Sequence, residues 1–188
     1  MDKAGLLKSI AETGYNVGFG AKKHYATFDI VEKAPGWIGF ISTGFGIFGL
    51  VYESLSAKLP SATLTFLGVS ALYISFYRSK KYDEVGRQLT QLFNQLRDLY
   101  RSVEGGANLI ESATILKEIE SKYYSIAISR QILFSDWYTH YKFFAQQQID
   151  WINEQKNFTW KDMWPLSFRM FCGVAVVALI AGGIYLLK

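Results

Sequence analysis

Three long stretches of this chain carry no Asp, Glu, Lys or Arg, and this constrains the fold more than any other feature. They cover 35–52, 59–77 and 170–187. A soluble chain spreads its apolar residues along one stripe of each helix. An unbroken block of about 18–20 is instead the length of a helix crossing the hydrocarbon of a bilayer. Half of the 188 residues are hydrophobic and 16% are aromatic. Rings of Trp and Tyr favour the membrane–water boundary.

The first block opens at Pro35, a residue suited to the first turn of a helix, followed by Trp37 at the expected interface. Gly39, Gly44, Gly46 and Gly49 lie inside it with Ser42 and Thr43. Small residues let a second backbone come close, and they would also leave room in a pore lining; the sequence supports both readings equally. A short connection, Glu53 to Lys58, joins it to the second block, so the two are expected to form a transmembrane hairpin. Basic residues flank the hairpin on both sides, with Lys22 and Lys23 before it and Arg78, Lys80 and Lys81 after it. These five are expected at the membrane surface. Lys and Arg accumulate on the cytoplasmic side, so the N-terminus and the region after the hairpin are expected in the cytoplasm.

Residues 1–33 are mixed and basic. They read as two weak helices broken near Gly14 to Gly20, lying on the membrane surface with Tyr15, Phe19, Tyr25 and Phe28 as anchors. After the hairpin, Tyr82, Val85, Leu89, Leu92, Leu96, Leu99 and Val103 alternate steps of three and four. That is a heptad seam, expected to pair helices within or between chains and taken here as an oligomer seam. Gly105-Gly106 stops this helix. A second helix, from about Asn108 to Asn153, would be ~70 Å long. Trp160, Trp164, Pro165 and Arg169 then read as a boundary belt before the third span. The expected fold is an all-α membrane protein with an N-terminal transmembrane hairpin, long cytoplasmic antiparallel or coiled-coil helices, and a C-terminal third transmembrane helix. Its divisions are 1–34 (basic juxtamembrane segment), 35–77 (hairpin), 78–160 (cytoplasmic helical domain) and 161–188 (C-terminal span), with the C-terminus outside.

No constellation for catalysis emerges, and no enzyme is expected. Ser129, Asp136 and His140 supply the residue types of a hydrolase triad, but their helical spacing does not aim them at one atom. Gly18-Phe19-Gly20 beside Lys22 and Lys23 is a weak phosphate-binding pattern and reads better as a flexible basic turn. His24, next to Lys22 and Lys23, reads as an ordinary surface histidine. Cys172 is the single cysteine, so there is no intramolecular disulfide, and no metal or cofactor is expected. The spans lack the ionisable residue that coupled transport usually needs. The basic groups sit at membrane edges, where anionic lipid is the natural counterion, so direct nucleic-acid binding is not expected.

The Gly-rich hairpin "PGWIGFISTGFGIFGLVYESL" and "SATLTFLGVSALYISFY", with the basic exit "RSKKYDEVGRQLTQLFNQLRDLYRSV", resembles the SLATT domain. SLATT domains are two-transmembrane effectors of bacterial conflict systems. The resemblance implies a pore-forming or membrane-disrupting effector in the bacterial inner membrane, acting in antiviral defence by abortive infection. Its implied partners are the lipid bilayer, further copies of itself, and a separate nucleotide-signalling or sensor protein. The third span is an addition to the two-span core. Two other readings stay open: a non-pore scaffold or receptor that recruits a soluble partner through its helices, and a ligand-gated channel.

Overall fold

The computed structural model describes residues 2–78 and 81–186. The described residues form eight α-helices and a 3-10 turn at Glu53–Leu55, with no strand among them. The helices are α1 (Lys3–Gly49), α2 (Lys58–Ser75), α3 (Tyr82–Glu104), α4 (Leu109–Ile126), α5 (Ser135–Gln146), α6 (Asp150–Lys156), α7 (Trp160–Met163) and α8 (Leu166–Leu186). The all-α class is as expected, but the longest helix is in an unexpected place. It is α1, 47 residues and so ~70 Å long, running from the Asp2 cap through Pro35.

The lower part of α1 is the centre of a helical body. Leu6, Ile10, Val17 and Ala21 are buried with Leu89, Phe93, Leu96, Tyr100 and Val103 of α3. Leu116 and Ile119 of α4, Phe143 of α5, and Trp151 and Ile152 of α6 complete the core. The heptad seam is therefore closed within the chain. Tyr82, Leu89, Leu92, Leu96, Leu99 and Val103 are buried and Val85 packs at the edge of the core. Each fully buried Leu contributes roughly 1.5–3 kcal/mol. The seam thus pairs helices within the chain, one of the two arrangements expected of it, and little of its apolar surface is left open. Residues 1–34 and the helices after 81 are one body rather than a surface segment and a separate domain. Tyr15, Phe19, Tyr25 and Phe28, expected at the lipid surface, are half-buried in it.

The expected break at Gly14 to Gly20 is absent because those glycines act as notches. A Cβ on Gly14 would overlap the Trp151 ring. One on Gly18 would lie 2.6 Å from the Phe93 ring and 3.1 Å from that of Phe143. On α3, Gly86 is the matching notch for Tyr25, 3.0 Å from the same construction. Glycine inside a helix costs about 1 kcal/mol relative to alanine. Here the rings that fill the notches offset that cost.

The expected single helix over 108–153 is three helices. Asn108 caps α4 by accepting from the backbone of Ile110 and Glu111, and Gly106 with φ of 96° ends the preceding turn, both as read from the sequence. Residues 127–134, however, leave the helix, because buried side chains from other elements bind their backbone. His24 Nε2 accepts from Ile128 N–H at 3.0 Å, and Tyr82 Oη donates to the Arg130 carbonyl at 2.6 Å. Gln131 donates to the Ile128 carbonyl, and Thr27 donates to Gln131. Ile132 enters a second apolar cluster with Val31, Ile74, Tyr77 and Tyr82. Phe134 turns the chain into α5 with a left-handed φ of 66°.

His24 is thus a buried structural group, 2% exposed, and not a surface residue. Because Ile128 must donate to Nε2, the ring proton sits on Nδ1 and is given to the Gly20 carbonyl at 2.7 Å. Burial lowers its pKa, the Gly20 bond opposes, and Lys23 adds to the lowering. A folded-state value below the ordinary 6.5 makes the neutral form part of the fold. Stability from this site is complete above pH 6.5 and falls as pH drops from 6.5 toward the lower folded value.

Two expectations follow. Gly18→Ala should destabilise the body by about 1–3 kcal/mol through overpacking, while Gly39→Ala, with no neighbour within 4 Å, should leave it unchanged; thermal melts in detergent compare them. In the same assay, wild-type stability should decline as pH falls below 6.5, and His24→Gln should flatten that slope.

Candidate membrane and assembly surface

Beyond Val31, the α1 helix leaves the body and carries an apolar surface into open space. Phe40 is 74% exposed and Leu50 88%, with Trp37, Ile47 and Phe48 also exposed. On α2, Leu59, Phe66, Val69, Leu72 and Phe76 are exposed in the same way. Most of the Ser and Thr hydroxyls in these helices turn inward onto their own backbone. Thr43 donates to the Gly39 carbonyl at 2.8 Å, Thr63 to Leu59, Thr65 to Ser61 and Ser70 to Phe66. A helix whose polar groups are satisfied internally needs no water, which is the requirement for a segment in hydrocarbon.

The two helices form an antiparallel hairpin around the Glu53–Leu55 turn. On α2 the half-buried or buried positions are Pro60, Leu64, Leu67, Ala71 and Ile74, with Ser70 beside them. Alternating steps of four and three place the first five on one face. On α1 the more buried positions are Ala34, Ile38, Ser42, Gly44 and Gly49. Only Gly49 among the candidate glycines comes near the turn, 4.0 Å from the backbone at Leu55 and Ser56. Gly39, Gly44 and Gly46 have nothing within 4 Å of an added Cβ, so they do not pack this hairpin together. Gly36, Gly39, Thr43 and Gly46 instead make an exposed stripe in steps of three, four and three. Grooves of about 450 and 420 Å³ lie on either side of the Phe40 ring, the first lined by Lys33, Gly36 and Trp37 and the second by Ile41, Gly44, Phe45, Phe48 and Leu55.

At the base of the hairpin, ion pairs hold the expected membrane-surface cations. Lys23 reaches Asp136 at 2.6 Å, Arg78 lies 3.8 Å from Glu32, and Lys81 lies 3.3 Å from Glu84. Lys22 is half-buried, and burial, then Lys142, lowers its pKa. Lys80 falls outside the described residues. Asp29 binds Lys33 at 2.8 Å and Lys142 at 2.7 Å, tying α1 to α5. Burial pushes the Asp29 carboxyl up, but the bonds and charges of those two lysines outweigh it and hold it below the usual carboxylate value. The sequence pattern located these cations; the partners of Lys23 and Arg78 come from other helices, while Glu84 is a local partner of Lys81.

The α8 helix is the one element among the described residues long and apolar enough by composition to cross a membrane. Its span, Leu166–Gly183, has a mean hydropathy of 1.9 and no buried residue. Its first turns dock on α5. Trp137 Nε1 donates to Ser167 at 3.0 Å, and the Trp137 ring packs edge-on to Phe168 and tilted against Phe171. Trp160 and Trp164, predicted as a boundary belt, are 64% and 52% exposed just before it.

A family profile described as the SMODS and SLOG-associating 2TM effector domain 6 matches residues 1–172. The chain belongs to the SLATT family. The match spans the body, the hairpin and the first turns of α8, and bears out the resemblance drawn from the hairpin and its basic exit. SLATT membership points to an effector of a bacterial conflict system and to a transmembrane effector domain. No curated protein matches the chain, and no solved structure does.

Cys172, exposed on the first turns of α8, reports on insertion without any substitution. In intact membranes a membrane-impermeant maleimide should leave it unlabelled, and it should label fully once the membranes are dissolved in denaturant. A thiol inside hydrocarbon is out of reach of a reagent confined to water.

Proposed function

We propose that this SLATT protein is an oligomeric effector that permeabilises the bacterial inner membrane in antiviral defence, with the α1–α2 hairpin inserted as the two spans of the family. The observation that carries this reading is the unpartnered stripe Gly36, Gly39, Thr43 and Gly46 on an otherwise lipid-like helix. Small residues at this spacing let a second helix approach closely, and in lipid such packing replaces the missing hydrophobic drive. A single chain with three apolar helices cannot enclose a wide pore, so permeation requires several copies. With the α3 seam closed inside the body, the small-residue stripe on the hairpin is the surface assigned to joining them.

The family description supports the hairpin as the two membrane helices. It names two spans, and the matched region, 1–172, holds the whole hairpin but only the beginning of Leu166–Gly183. In this arrangement the body and N-terminus are cytoplasmic, α8 adds a third span, and the C-terminus is outside. A separate nucleotide-signalling or sensor protein would supply the trigger. The scaffold reading loses ground because the seam that would recruit a partner is already buried.

Expression from a tight promoter tests this. Wild-type chain, once active, should collapse the membrane potential and admit dye. Gly46→Leu should abolish both at equal membrane level, and Gly68→Leu, an open glycine on α2, should keep most of the effect. Full potential with high wild-type expression and active host signalling would contradict the pore reading.

A further inference from the structure

A cavity of about 440 Å³ lies where α8 meets the body, away from the hairpin. Tyr15 of α1, His140 of α5 and Lys156 of α6 form its body side, Lys161 and Asp162 come from α7, and Arg169 comes from the first turn of α8. No ion pair holds Lys156, Lys161 or Arg169 among the described residues, in contrast to the cations at the hairpin base. Lys156 Nζ sits over the Tyr15 ring at 5.1 Å and Arg169 over the Trp160 ring at 5.9 Å, contacts that leave their donors free for an anion. The Arg169 Nε is shielded from solvent with no hydrogen-bond partner among the described residues. A shielded guanidinium donor without an acceptor is costly, and an oxyanion would satisfy it.

The one carboxylate in the cavity is already engaged. Asp162 accepts from the Thr159 hydroxyl at 2.7 Å and backbone at 2.8 Å; these bonds, with the nearby charges of Lys156 and Arg169, outweigh burial and hold it ionised below the usual carboxylate value. Three cations thus face one tied acid. Exposed Trp160 and Trp164 and the start of an apolar span stand beside them.

We infer that this cavity binds a phosphate group, with Arg169, Lys156 and Lys161 as its ligands, and that the group holds the start of α8 against the body. An anionic phospholipid headgroup and a soluble phosphate ester present the same chemistry here. The geometry carries this site whether or not the spans form a pore.

The test uses the full chain in detergent. Native mass spectrometry counts retained phosphatidylglycerol against phosphatidylcholine, and titration with inorganic pyrophosphate reads the soluble source. Retention of phosphatidylglycerol over phosphatidylcholine identifies a headgroup site. Pyrophosphate binding without lipid preference identifies a soluble phosphate site. Either supports the inference if Arg169→Gln weakens binding about fivefold and Lys161→Gln, on an exposed side chain, does the same, each removing one cation. Melting curves confirm that both variants fold. Neither lipid preference nor pyrophosphate binding, or wild-type binding by the Lys156→Gln/Arg169→Gln double variant, overturns it.

Discussion

The close approach of α1 to α3 is the contact on which the rest of this molecule depends. It is set by glycine: Gly14 and Gly18 on one helix and Gly86 on the other remove a Cβ where Trp151, Phe93 and Tyr25 insert. Trp151 of α6, and Phe143 of α5 3.1 Å from the Gly18 notch, bring those helices onto the same core, so one set of notches positions four helices. The backbone of residues 127–134 is then captured by His24 and Tyr82, two side chains that this packing brings together. Because α1 continues unbroken from the core into the hairpin, whatever fixes its lower half also fixes where the apolar upper half leaves the body.

The second constraint is the contrast between the two halves of α1. Below Val31, Gly14, Gly18 and Gly20 receive rings, and above Pro35, Gly36, Gly39, Gly44 and Gly46 face nothing. In the body the notches are filled from within the chain, where burial supplies the drive. On the proposed spans the open small residues are the face assigned to another helix, where close packing is the drive. Ion pairs from Asp29, Glu32 and Asp136 lie near the transition between the two halves and fasten neighbouring helices there.

Much of this was legible in the sequence, for reasons that can be stated. Charge-free blocks marked the hairpin and α8, because the absence of charge is a one-dimensional property. The a/d spacing marked α3, and Gly105-Gly106 and Asn108 marked the turn after it. The partner of that seam was missed. Leu6, Ile10, Thr13, Val17, Ala21, His24, Thr27 and Val31 carry a matching rhythm of threes and fours, but small and polar residues interrupt it. Glycines read as helix breakers were packing notches, since only the ring opposite gives them meaning. The exit at Ala127 has no Gly or Pro to announce it; hydrogen bonds from residues about a hundred positions away cause it. The cavity beside α8 was equally hidden: Tyr15 and His140 close it from positions remote in sequence, and of its three cations, all within 156–169, only Arg169 was read, as part of a boundary belt.

The central claim is that copies meet through the small-residue face of α1. Single cysteines placed by Gly39→Cys and Gly46→Cys in a Cys172→Ser background, oxidised in isolated membranes, test it most directly. The account predicts crosslinked dimers from both positions and few from Val69→Cys on the exposed side of α2. Monomers at both glycine positions, with strong crosslinking at position 69, would contradict it.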